Sequence, residues 1–141
     1  MNVTFFGHSD APDYVEEKLR LIVLELIEKH NAKVFYIGDK GNFDLMAKRV
    51  IKGVVEKFED IRYYIVLSYL PIKPEAFYNY GDTIFPEELE TVPKKFAIDR
   101  RNMWMIENCD TVITFVTRNI GGAAKFKNIA ERKGKIVINI N

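Results

Sequence analysis

Val34-Phe35-Tyr36-Ile37-Gly38-Asp39-Lys40-Gly41-Asn42-Phe43 is the stretch that decides the fold. Its first four residues are β-branched or aromatic, the composition of a strand. Gly38 to Asn42 hold two glycines and three polar residues, which make a turn. Beyond it Phe43, Met46, Ala47, Val50, Val54 and Phe58 recur at helical spacing, so the strand passes through a Gly-containing turn into an amphipathic helix. The same unit opens the chain. Val3-Thr4-Phe5-Phe6 leads through Gly7-His8-Ser9-Asp10-Ala11-Pro12, with candidate capping residues, into a helix ending near His30 with Val15, Leu19, Ile22, Leu26 and Ile27 on its apolar stripe. Repeated strand–helix units of this kind build a mostly parallel sheet covered by helices.

Three further strands read as Tyr63–Leu67, Thr111–Val116 and Ile136–Ile140. Their nearly continuous apolar composition predicts strands buried on both faces. A helix is expected over Ile98–Cys109, and another carries Ala123, Phe126, Ile129 and Ala130 and stops at Gly134. The expected architecture is an α/β Rossmann-like three-layer sandwich. Its mainly parallel five-stranded sheet has the order 3-2-1-4-5, with helices on both faces. Residues 69–95 interrupt the rhythm with Pro71, Pro74, Pro86 and Pro93 among Phe77, Tyr78, Tyr80 and Phe85, and read as an ordered excursion without a long helix.

The chain's 141 residues suit one domain, 1–141, around one core. Lys and Arg number 21 against 20 Asp and Glu, so the net charge of +1 gives no general attraction to polyanions, and any phosphate recognition must be local. Cys109 is the single cysteine, which excludes an internal disulfide and a cysteine-built metal cluster and fits a reducing compartment. No apolar run approaches the roughly 18 residues of a membrane span. A cytoplasmic protein without a metal or cofactor is expected.

In a doubly wound sheet the ligand crevice opens where the strand order reverses, here between the first and fourth strands. Gly7, His8 and Ser9 would flank it on one side and Gly121, Gly122 and Ala123 on the other, with Gly38, Asp39, Lys40 and Gly41 beside them. Both flanking loops lead into helix N-termini, whose unpaired N–H groups and dipole favour an anion. Glycines let the backbone approach a phosphate closely, although a glycine pair also makes an ordinary strand-to-helix turn. Neither G-x-G-x-x-G after the first strand nor G-x-x-x-x-G-K-[ST] occurs, so a standard NAD site and a P-loop are disfavoured. Two readings stand for His8: a ligand-contacting or acid/base group, or a capped turn. Arg100 and Arg101 point about 100° apart on a helix, so one is expected to face the crevice, and Arg101 with Asn102 is the candidate. An ion pair of Arg101 with Asp99 or Glu107 is the alternative. Trp104 reads as core or dimer interface.

Four motifs in order, Gly7-His8, Tyr36-Ile37-Gly38-Asp39-Lys40-Gly41-Asn42-Phe43-Asp44, Arg100-Arg101-Asn102-Met103-Trp104-Met105 before Asp110, and Gly121-Gly122-Ala123 before Lys133-Gly134-Lys135, resemble the SLOG superfamily. That group joins Rossmann-like domains related to the LOG phosphoribohydrolases, DprA-type DNA-processing proteins and YpsA-like proteins. In the LOG enzymes an arginine before the fourth strand and a glutamate after a Gly-Gly-x-Gly-Thr loop help cleave a nucleoside monophosphate. Arg101 matches the arginine, but Gly121-Gly122-Ala123-Ala124-Lys125-Phe126-Lys127-Asn128 holds neither Gly-Thr nor an acid. A glycosidase needs that carboxylate. The resemblance therefore implies binding or sensing of a nucleotide or nucleotide-derived ligand, as in the YpsA-like branch.

Two alternatives stay open. One is an enzyme cleaving or transferring at an N-glycosidic bond, LOG-like or deoxyribosyltransferase-like, with Arg101 and with His8, Asp10 or Asp39 replacing the glutamate. The other is single-stranded nucleic-acid binding, suggested by Lys94-Lys95, Arg100-Arg101 and nearby aromatics. Pairing into a homo-oligomer through helical faces is also implied by the resemblance.

Overall fold

Alternation along β1 (Asn2–Gly7) sets the layering. Val3 and Phe5 pack with α1 (Val15–His30) and α2 (Gly41–Val55) on one face of the sheet. Phe6 packs with α3 (Lys94–Glu107) and α4 (Gly122–Arg132) on the other, its ring stacked 5.6 Å from that of Phe126. Successive side chains of a strand face opposite ways, so a strand apolar throughout builds a core on each side. The computed structural model describes residues 1–69 and 82–141, which form a three-layer α/β sandwich.

The remaining strands are β2 (Val34–Ile37), β3 (Arg62–Val66), β4 (Thr83–Ile84), β5 (Thr111–Phe115) and β6 (Ile136–Asn139). Among the described residues the sheet order is β4-β3-β2-β1-β5-β6, and each neighbouring pair is parallel. The expected order is thus present with one more strand on its outer edge. β4 falls inside the presumed excursion, where it pairs Thr83 and Ile84 with Ile65 and Val66. Two residues are too few to show a strand period. Glu87–Leu89 form a 3₁₀ turn, and α3 begins at Lys94, a turn earlier than expected. Pro93, which reads as a breaker, precedes the first helical residue, where a missing N–H costs nothing. Pro71, Pro74, Phe77, Tyr78 and Tyr80 lie outside the described residues.

Two expectations fail locally. β6 is not buried on both faces: it has β5 on one side only, and Ile136 is 56% exposed. No side chain caps α1, which starts from Tyr14 with Glu16 and Glu17 supplying negative charge in its first turn.

The ends of β1 and β2 are locked to each other. A Cβ at Gly7 would lie 2.2 Å from the Phe43 ring, so only glycine lets β1 cross the start of α2 at this distance. Gly41, at φ +86°, lies against Ser9, where a Cβ would come within 2.8 Å of the Ser9 backbone, and Asn42 N–H donates to the Ser9 carbonyl at 2.9 Å.

Candidate functional site

The sheet's order reverses at β1, and there the loops after β1 and β5 diverge above a cleft of about 420 Å³. That is a usual size for a small-molecule site. Gly7, His8 and Ser9 line one side, Gly121, Gly122 and Ala123 the other, and Arg101, Asn102 and Lys40 complete the wall with Asp44, Arg118 and Ile120. Gly38, Asp39 and Gly41, expected beside the ligand, are not part of the lining: Asp39 pairs with Arg101, Gly38 lies against Asp44 and Arg101, and Gly41 against Ser9.

Gly121 takes φ +97° as the residue before α4, and no side chain caps that helix. No atom lies within 4 Å of where a Cβ would stand on Gly121 or Gly122. Gly121, Gly122 and Ala123 at the uncapped start of α4 line the cleft, and the first N–H groups of a helix suit an anion.

Arg101 is the buried member of the arginine pair and Arg100 the exposed one. Its Nη1 donates to Asp39 at 2.7 Å and to the Val66 carbonyl at 2.9 Å, and its Nε donates to Asn102 Oδ1 at 2.8 Å. The partner is Asp39 rather than Asp99, which binds Lys125 at 2.8 Å. Asp39 follows β2, 62 positions away in the chain, and no local pattern announces the pair.

His8 is buried, and its Nε2 accepts the Thr117 N–H at 3.0 Å. This bond places the ring proton on Nδ1. Burial, reinforced by the Arg118 charge and opposed by Asp10, holds its pKa below the usual histidine value. A neutral His8 thus pins the loop after β5 to the loop after β1. Asp10 and Arg118 form an exposed pair at the rim, 2.9 Å apart.

In the sequence Asp44 stands only as the last residue of a motif and is given no role, since an acid in the first turn of a helix suits the dipole wherever it occurs. Its Oδ2 accepts the Lys40 N–H at 3.0 Å. Protein around the carboxyl pushes its pKa up to about 6; the Arg101 charge and the Lys40 N–H work against that rise and Asp39 adds to it. Gly38 makes room for this group, since a Cβ there would stand 2.6 Å from Asp44 Oδ2 and 3.3 Å from Arg101 Cζ.

Fold and cleft together define a Rossmann-like doubly wound α/β domain with its site at the strand-order reversal. No protein-family model and no curated protein matches the chain. Among solved structures it is similar to the X-ray structure of DNA processing protein A (DprA) from Streptococcus pneumoniae, with a TM-score of 0.71 and 16% sequence identity, over 99% of this chain and 50% of that one. The chain spans about half the length of that protein, and the likeness is one of fold. It bears out the Rossmann-like fold that the resemblance implies. No helix among the described residues is long and apolar enough to cross a membrane.

Proposed function

We propose that the chain binds a nucleotide or nucleotide-derived small molecule in this cleft, with a phosphate at the N-terminus of α4. The observation that carries this reading is the open backbone at Gly121-Gly122, facing a cleft of about 420 Å³ at the reversal point. Uncapped helical N–H groups supply the anion contact and the glycines supply the room for it. Thermal-shift and calorimetric titration with nucleoside phosphates, ADP-ribose and cyclic nucleotides tests the reading. A ligand at a hundred times its Kd raises stability by about 2.7 kcal/mol. Failure of every member of that set to bind overturns it.

Single-stranded nucleic acid is the second reading. Lys40 and Lys94 each place Nζ 4.8 Å from the centre of the half-exposed Tyr69 ring, and Lys40 also lines the cleft. Cations around an aromatic surface suit a strand of stacked bases, and the similar structure is of a DNA processing protein. Salt-sensitive binding to an oligonucleotide at low ionic strength would support it, and its absence would remove it. Cleavage of a glycosidic bond is weaker, since residues 123–128 after Gly121-Gly122 hold no acid and the His8 Nε2 is already occupied. Self-association through α3, which leaves Phe96 and Ile98 exposed, is checked by light scattering.

A further inference from the structure

We infer that Asp44 reads the vicinal hydroxyls of a phosphorylated ribose seated in the cleft. The inference rests on the binding reading above and names the class of ligand.

Among the described residues Asp44 is the acid that lines the cleft. Asp39 is held by Arg101, and Asp10 is at the rim with Arg118. In dinucleotide-binding Rossmann domains a carboxylate near the end of the second strand accepts the ribose hydroxyls. Here the residue at that place, Asp39, is held by its ion pair with Arg101, and Asp44, in the first turn of α2, is the acid at the cleft wall.

The carboxylate is positioned without being used up. Two carboxylate oxygens offer about four acceptor sites. The Lys40 N–H takes one of them, at Oδ2. Arg101 comes close enough for its charge to act on Asp44, but its hydrogen bonds go to Asp39, the Val66 carbonyl and Asn102. Gly38 lets both groups converge over a backbone with no side chain. The cleft therefore has a donor pole at the start of α4 and an acceptor pole at Asp44. A ribose phosphate matches both, offering an anion and, a few bonds away, two adjacent O–H donors.

The test is calorimetry at pH 7.5 on the full chain, using the four common ribonucleoside 5′-monophosphates, their 2′,3′-dideoxy counterparts and ribose 5-phosphate. A hydrogen bond to a charged group predicts that the wild-type protein prefers a ribonucleotide over its dideoxy form by at least about tenfold. Ribose 5-phosphate should bind as well, since the contact does not involve the base. In Asp44→Asn the preference should fall to within about threefold while the dideoxy form binds as before. Thermal unfolding of the variant confirms that it is folded, and the wild-type comparison needs no variant. Binding of ribo and dideoxy forms with equal affinity, or a preference unchanged in Asp44→Asn, overturns the assignment of Asp44 and leaves the nucleotide site standing. If none of these compounds binds, the assignment of Asp44 fails, and the site reading fails with it only when ADP-ribose and the cyclic nucleotides do not bind either.

Discussion

Arg101 Nη1 lies 2.7 Å from Asp39 Oδ1, with 2% of the arginine side chain and 11% of the aspartate side chain exposed. The pair joins α3, on one face of the sheet, to the loop between β2 and α2, on the other. A buried pair is weak evidence of net stabilisation, but breaking it leaves a charge without its partner. Asp39→Ala and Arg101→Met are each expected to cost about 3–5 kcal/mol. The double variant should cost clearly less than the sum, because residues in contact do not act additively. Urea denaturation of the four proteins measures this, and additive losses would show that the pair is not coupled.

Gly7→Ala places a methyl group inside the Phe43 ring, given the 2.2 Å separation. Overpacking of this kind costs about 1–3 kcal/mol, and more where backbone must move. Trimming the obstacle in Gly7→Ala/Phe43→Leu should return part of that loss. If Gly7→Ala alone leaves the thermal midpoint unchanged, the close crossing of β1 over α2 is disproved.

These two contacts also show what is legible in the chain. β2 occupies the residues its composition predicts, Val34–Ile37, because a short β-branched and aromatic run is closed by a glycine turn. β1 and β5 follow for the same reason. β4 is held by pairing with β3 and carries no periodic signal of its own. That one of Arg100 and Arg101 faces inward follows from helical geometry, whereas which one does, and with what partner, depends on packing α3 against the sheet. The role of Asp44, though it stands in a motif, is hidden for a similar reason: its acidity suits any helix start, and only the assembled cleft sets it beside Arg101.

Asp44 should make stability depend on pH in a definite direction. Its folded pKa, about 6, lies above the 3.8 of a free carboxyl, so the folded state holds the proton more tightly. The contribution is full below pH 3.8 and is lost as pH rises through about 6. A rise of this size corresponds to about 3 kcal/mol. Asp44→Asn removes the ionisation, so the difference in unfolding free energy between variant and wild type should shift toward the variant from pH 4 to pH 7. Comparing the two proteins cancels the exposed acids Asp10, Glu17 and Asp60, whose pKa values are lowered by Arg118, Arg20 and Lys33. A difference that stays constant with pH would contradict a raised pKa.

Gly122 separates a glycine kept for folding from one kept for a ligand. It is the first residue of α4, it lacks the positive φ of Gly121, and nothing stands within 4 Å of the position a Cβ would take. The protein therefore has no steric reason to exclude alanine, and helix propensity favours it by up to about 1 kcal/mol. Gly122→Ala should fold with unchanged or slightly higher stability. The added methyl group would occupy the space beside the N–H groups proposed to hold the phosphate. Nucleotide affinity is accordingly expected to fall by about tenfold or more, since a steric cost of about 1.4 kcal/mol is enough for that loss. Calorimetry alongside thermal unfolding reads both quantities on the same sample. A variant that stays folded and binds a nucleotide as tightly as the wild type would move the phosphate away from α4 and leave Gly122 as an ordinary turn residue.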